Sequence, residues 1–295
     1  MVKPALKKIA VLPTLLTLGN GVCGFASITW ASKIIAAGDE ASYTQDPAYV
    51  ANCFALAGWF LIFAMFFDML DGYVARLSKT ASKFGGELDS LCDAISFGVA
   101  PAFLLLKMGP GWERGSFVHQ VLASIAALYM VCTILRLARF NVENTPDPAS
   151  HKRFRGLPSP GAAGCLASLA IFRAEFPAKL NNIWNDVGLE IWRERIGHFV
   201  EIVAPVGALA VALLMVSRVA YPHITKQILR GRRNLAHLIQ VLMAALVILL
   251  VRDLALVVIF WAYALLFPLR GVFVRNVAMN ENPESNPLGK EPPVK

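Results

Sequence analysis

Four aspartates stand out by type and spacing in the stretch 68–93, DMLDGYVARLSKTASKFGGELDSLCD. Asp68 and Asp71 are three residues apart and Asp89 and Asp93 are four apart, so on helices each pair shares one face. Gly72 and Ala75 fall on the face of the first pair, and Gly85 lies one turn before Asp89. The short basic link Leu77–Phe84 makes two such helices antiparallel neighbours, and the four carboxylates then converge. Gathered carboxylates repel one another, so either some are protonated or a cation binds. Oxygen donors without histidine or cysteine favour a hard ion such as Mg²⁺. Gly72, Ala75 and Gly85 leave a groove free of side chains, where a planar or phosphorylated group can approach. Arg76 and Lys83 are nearby cations suited to phosphate oxygens. Together these features describe a phosphoryl-transfer site. The plainer alternatives are a row of exposed charges at a helix end and, for the two glycines, close helix packing.

The elements that must position these residues are long apolar helices. Of the 295 residues, 56% are hydrophobic and 16% charged, against about a quarter charged in an ordinary soluble domain. The deficit comes as uncharged runs of bilayer length. Eight spans are expected, over roughly 13–36, 49–77, 86–106, 117–137, 158–175, 199–217, 235–251 and 254–270. Arg252 and Asp253 interrupt the last apolar stretch and read as a tight turn between two short helices, with one overlong segment as the alternative. Pro158 and Pro160 suit the start of the fifth span. The uncharged run Pro47–Phe67 nearly crosses the hydrocarbon, which puts Asp68 near one membrane surface.

Charge sets the orientation. The net charge is +8, and the basic residues flank apolar runs, a pattern of membrane topology rather than nucleic-acid binding. With the N-terminus in the cytoplasm, twenty lysines and arginines fall on that side and seven on the other, with Lys33 inside the first span. Lys3, Lys7 and Lys8 precede an apolar run too long for a signal peptide, so no cleaved leader is expected. The outside loop 177–198, with Trp184 and Trp192, reads as an interfacial helix. The reading is one membrane domain over 1–276 and a disordered cytoplasmic tail over 277–295. Cys23, Cys53, Cys92, Cys132 and Cys165 all lie in apolar stretches without a CxxC pair, and read as buried hydrophobes. The five histidines have no metal-ligand spacing, and His151 reads as a surface residue.

The stretch 68–93 resembles the CDP-alcohol phosphotransferases. It fits D-x2-D-G-x2-A-R-x8-G-x3-D-x3-D at each fixed position: Asp68, Asp71, Gly72, Ala75, Arg76, Gly85, Asp89 and Asp93. The resemblance implies an all-α, polytopic membrane enzyme with a cytoplasm-facing polar cavity, which displaces CMP from a CDP-linked lipid with an alcohol. It implies that the four aspartates hold divalent metal, Mg²⁺ or Mn²⁺, and that Asp93 is also the general base. It assigns Gly72, Ala75, Arg76, Ser82 and Gly85 to the CDP-lipid site, with Thr17 and Asn20 from the first span. A homodimer in a bacterial-type inner membrane, with both termini cytoplasmic, is a further family expectation.

Other stretches resemble the phosphatidylserine-forming branch of that family: PTLLTLGNGVCGF (13–25), FGGELDSLCDAISFGVAPA (84–102), RLARFN (136–141), FRGLPSPGAA (154–163) and, more weakly, MVSRVAYP (215–222). Thr14 departs from the asparagine expected there, which puts its nucleotide role in doubt. The implied substrates are CDP-diacylglycerol and L-serine. Arg136, Arg139 and Asn141 end the fourth span, and one arginine is expected to grip the serine carboxylate, Arg139 being the first choice. Their plainer role is positive-inside anchoring. Glycerol phosphate, inositol phosphate or choline as acceptor, an archaeal ether lipid as donor, and a divalent-cation transporter are the competing readings.

Overall fold

The computed structural model describes residues 11–35, 45–78, 82–109, 116–143, 156–183, 188–217, 219 and 252–281. These residues form helices α1 (Val11–Ser32), α2 (Pro47–Leu77), α3 (Lys83–Asp93), α4 (Ala100–Met108), α5 (Phe117–Glu143), α6 (Ser159–Ile183), α7 (Leu189–Val216) and α8 (Arg252–Glu281). A π-helical turn, Ala94–Val99, joins α3 to α4, so the three pieces make one rod. No strand occurs among the described residues.

Local chemistry explains the helix starts that matter for the site. Asp46 caps α2 by accepting from the Ala48 N–H at 2.9 Å, and Pro47 follows at the first turn, where its missing N–H costs nothing. Ser82 caps α3 by accepting from the Gly85 N–H at 3.0 Å. The expected link between the two helices is therefore shorter than 77–84, and its centre, 79–81, lies outside the described residues.

Five helical segments are long and apolar enough to cross a membrane: Val11–Ser32, Pro47–Leu77, Phe84–Met108, Phe117–Val142 and Leu189–Val216. The chain is thus an integral membrane protein by length and composition. Helix α6 is less apolar for a physical reason. It is the central helix, buried on nearly all sides from Ser159 to Ile171, and it carries small residues instead of large lipid-facing ones. Small residues let neighbours approach closely. A Cβ on Gly58 of α2 would sit 2.9 Å from the Ala167 carbonyl, and one on Gly207 of α7 would collide with the Trp261 ring of α8.

Two expectations need correction. The outside loop 177–198 is mostly helix: α6 runs on through Pro177 to Ile183, and α7 already begins at Leu189. Trp192 therefore sits on α7 itself, whereas Trp184 lies outside the described residues. The second difference concerns Arg252 and Asp253, which begin α8. Asp253 is fully buried and pairs with Lys179 of α6 at 2.7 Å. The expected span 235–251 lies outside the described residues, as do His151 and 282–295, while α8 continues to Glu281. The five cysteines are free and buried, as expected.

Candidate active site

The acidic residues meet between the C-terminal third of α2 and the second half of α3. One carboxylate oxygen from each of Asp68, Asp71 and Asp89 lies within 4.8 Å of the others. Asp71 is 5% exposed, and Oδ1 of Asp89 is buried with no hydrogen-bond partner. Three carboxyl groups gathered this way, one with an orphaned oxygen, fit a hard divalent cation. Asp93 is not in this trio. One turn beyond Asp89, and buried, it accepts from Nδ2 of Asn20 at 2.9 Å.

Helix α1 is what orders the acids. The Thr17 hydroxyl lies 2.6 Å from Oδ2 of Asp71 and 3.0 Å from the Pro13 carbonyl, with one proton to share between them. Asn20 is fully buried, donates to Asp93, and offers its own carbonyl to the Ser96 hydroxyl at 2.9 Å. Thr17 and Asn20, expected at the nucleotide, thus hold the carboxylates of α2 and α3. This close approach depends on Gly24. A Cβ there would fall against Oγ of Ser96 and 2.7 Å from its Cα. Gly24→Ala is expected to destabilise the protein by about 1–3 kcal/mol, as overpacking of a tight core does. Thermal unfolding in detergent measures this, and a parental midpoint would show that the helices separate freely.

Beside the trio lies a cleft of about 190 Å³ lined by Pro13, Thr14, Thr17, Gly72, Ala75 and Gly85, among others. The structure decides between the two uses of its glycines. A Cβ on Gly72 would meet only the Arg76 guanidinium of its own helix, at 3.6 Å, and one on Gly85 only the Ser82 hydroxyl, at 3.2 Å. Among the described residues no neighbouring helix presses on either, so these glycines leave the cleft open. Arg76 is exposed at its rim, and Ser82 is engaged as the α3 cap.

The two arginines of α5 separate. Arg139 is exposed, whereas Arg136 is half-buried, lies within electrostatic reach of Asp93 and Asp68, and donates to the Ser159 hydroxyl of α6 at 2.6 Å. Asn141 donates to the Ser90 hydroxyl of α3 at 2.9 Å. Of the two, Arg136 is the one that faces the acidic residues. A second cavity, about 450 Å³, lies near the N-terminal end of α2 around Phe54, Arg173 and Arg193. Its Arg173 is already held by Glu201 at 3.1 Å, the Met108 carbonyl at 3.2 Å and the Phe54 ring.

A helical membrane protein with gathered carboxylates, a glycine-floored cleft and a nearby arginine has the parts of a phosphoryl-transfer enzyme. The profile of the CDP-alcohol phosphatidyltransferase family matches residues 10–206, two thirds of the sequence. The chain belongs to that family. Among similar proteins, one from Helicobacter pylori is 44% identical over 111 residues, 37% of this chain and 44% of its own. One from Saccharomyces cerevisiae is 33% identical over 184 residues, 61% of this chain and 58% of its own. One from Bacillus subtilis is 28% identical over 216 residues, 73% of this chain and 92% of its own. All three are named CDP-diacylglycerol–serine O-phosphatidyltransferase. The chain spans about half the length of the first two, at 44% and 58%.

Proposed function

We propose that this protein transfers the phosphatidyl group of CDP-diacylglycerol to the hydroxyl of L-serine, giving phosphatidylserine and CMP. The observation that carries the reading is the trio Asp68, Asp71 and Asp89 beside an open, glycine-floored cleft. The names of the relatives support serine as the acceptor. A divalent cation, Mg²⁺ or Mn²⁺, held by the trio would offset charge on the pyrophosphate.

The chain's own groups supply the rest. The cleft over Gly72 and Gly85 admits the cytidine diphosphate, with Arg76 at its rim for phosphate oxygens. The serine oxygen attacks the phosphorus that bears the diacylglycerol. The bond from that phosphorus to the oxygen it shares with CMP breaks, and CMP leaves with that oxygen. Asp93 takes the hydroxyl proton, and the Asn20 amide fixes the orientation of its carboxylate. The chain's architecture is read as about eight spans, with the cleft and both termini in the cytoplasm. The twenty-to-seven split of basic residues supports this orientation. A homodimer in a bacterial-type inner membrane completes the proposal.

The test is an acceptor panel. Purified protein with CDP-diacylglycerol and Mg²⁺ or Mn²⁺ is expected to release CMP in proportion to serine and to form phosphatidylserine. Release driven by glycerol phosphate, inositol phosphate or choline instead, or none with any alcohol, overturns the reading. Within it, Arg136 is the cation for the serine carboxylate. Arg136→Lys keeps the charge but loses the planar fork, and is expected to raise KM for serine about tenfold, equivalent to about 1.4 kcal/mol. Unchanged serine kinetics would return Arg136 to a purely structural tie to Ser159.

A further inference from the structure

The π-helical turn Ala94–Val99 directly follows Asp93, and its origin can be read from the sequence around it. Pro101 stands in the first turn of α4. In an α-helix the carbonyl of Phe97 would receive the N–H of residue 101, but proline has none, and its ring crowds the carbonyl four residues earlier. The chain answers by widening: the Ala100 N–H reaches back five residues to the Ile95 carbonyl. The Phe97 carbonyl is then supplied from another helix. The Tyr129 hydroxyl of α5 donates to it at 3.2 Å, and Tyr129 is fully buried.

The widened turn has a geometric effect on the site. One inserted residue rotates everything before it by about 100° relative to everything after it. The acidic face of α3 is thereby turned with respect to the core-facing side of α4, where Leu104, Leu105 and Met108 are fully buried. Without the insertion, burying that side of α4 would carry Asp89 and Asp93 away from Asp68 and Asn20. The turn is gripped from two directions: by α1, through the Ser96 hydroxyl on the Asn20 carbonyl, and by α5, through Tyr129.

We propose that Tyr129 is a positioning residue for the transfer reaction: by holding the Phe97 carbonyl that Pro101 orphans, it keeps the wide turn that aims Asp93 at the acceptor. This rests on the function proposed above. Tyr129→Phe removes one oxygen. It is expected to lower kcat at least about tenfold, because small misplacements of a reacting group are expensive. KM for the CDP-lipid should stay within about twofold. Pro101→Ala returns an N–H at position 101 and draws the segment toward α register. It should hold or raise the thermal midpoint and still lower kcat at least about tenfold. In the double variant the midpoint should recover relative to Tyr129→Phe while kcat does not.

Parental kcat in either single variant overturns the proposal. So does joint recovery of kcat and midpoint in the double variant, since the hydroxyl would then only satisfy a buried acceptor. If Tyr129→Phe does not fold, Pro101→Ala alone decides: a kcat at least about tenfold lower at an unreduced midpoint supports the proposal, and parental kcat overturns it. Turnover is read as CMP release with whichever alcohol the parent protein uses. A parent protein silent with serine but active with another alcohol defeats the serine reading and leaves the comparison of variants intact.

Discussion

Asp93→Asn is expected to lower CMP release at least about a thousandfold while CDP-lipid affinity changes less than about threefold. Asparagine has the shape of aspartate, and its carbonyl oxygen can still accept from Nδ2 of Asn20, the contact that orients Asp93 at 2.9 Å. The fold and the cleft should therefore survive. What the amide cannot do is take the hydroxyl proton, and general-base catalysis is worth about 10²–10⁴ in rate. The position of Asp93 outside the compact trio favours this division of labour, because its removal leaves Asp68, Asp71 and Asp89 in place. Single-turnover CMP release and equilibrium binding of the CDP-lipid separate the two effects. A parallel loss of lipid affinity would make Asp93 chiefly a binding residue.

Asp89→Asn should strike the other half of the site. Its carboxylate lies within 4.8 Å of Asp68 and Asp71, and its Oδ1 is buried without a partner. An ion bound there would lose one of three anionic donors. Even partners that only orient a ligand are worth about 10–100-fold in metal affinity. The half-saturating Mg²⁺ concentration is therefore expected to rise at least about tenfold and turnover at fixed Mg²⁺ to fall at least about a hundredfold. Direct Mn²⁺ binding by the purified protein gives a readout independent of activity. Undiminished Mn²⁺ binding would mean that the trio is not the ion site.

Much of this was legible in the sequence because bilayers and helices impose strict lengths and periods. The uncharged runs mark most of the spans, and the spacings three and four mark which carboxylates share a face. The spacing predicts that the two pairs converge, and three of the four acids do. What was not legible is rotation about helix axes. Arg136 and Arg139 are equivalent by spacing, and only the packing of α5 against α6 turns Arg136 inward to Ser159. The partner of the wide turn after Asp93 is hidden as well: Pro101 marks the place, but the Tyr129 hydroxyl that donates to the Phe97 carbonyl lies thirty-two residues away. The expected start of α7, at 199, is ten residues late because Glu190, Arg193, Glu194 and Arg195 read as a separate interfacial helix outside the span. They are the polar face of a helix end that projects beyond the apolar core. Thr17 and Asn20 were found by resemblance, but their contacts to Asp71 and Asp93 needed the structure.

Helix α1 carries the two groups that hold the acids, and it precedes both acid-bearing helices in the chain. During synthesis the partners of Asp71 and Asp93 are therefore already in the bilayer when those carboxylates arrive. That order shields a nascent chain from its most awkward moment, the insertion of acidic helices into hydrocarbon with nothing to receive them. The loops that close are short, so α1, α2 and α3 can associate before the central α6 is made. The same order carries a vulnerability. A lesion at Thr17 or Asn20 would be felt first as poor membrane insertion and degradation, and only afterwards as slow chemistry in the molecules that survive.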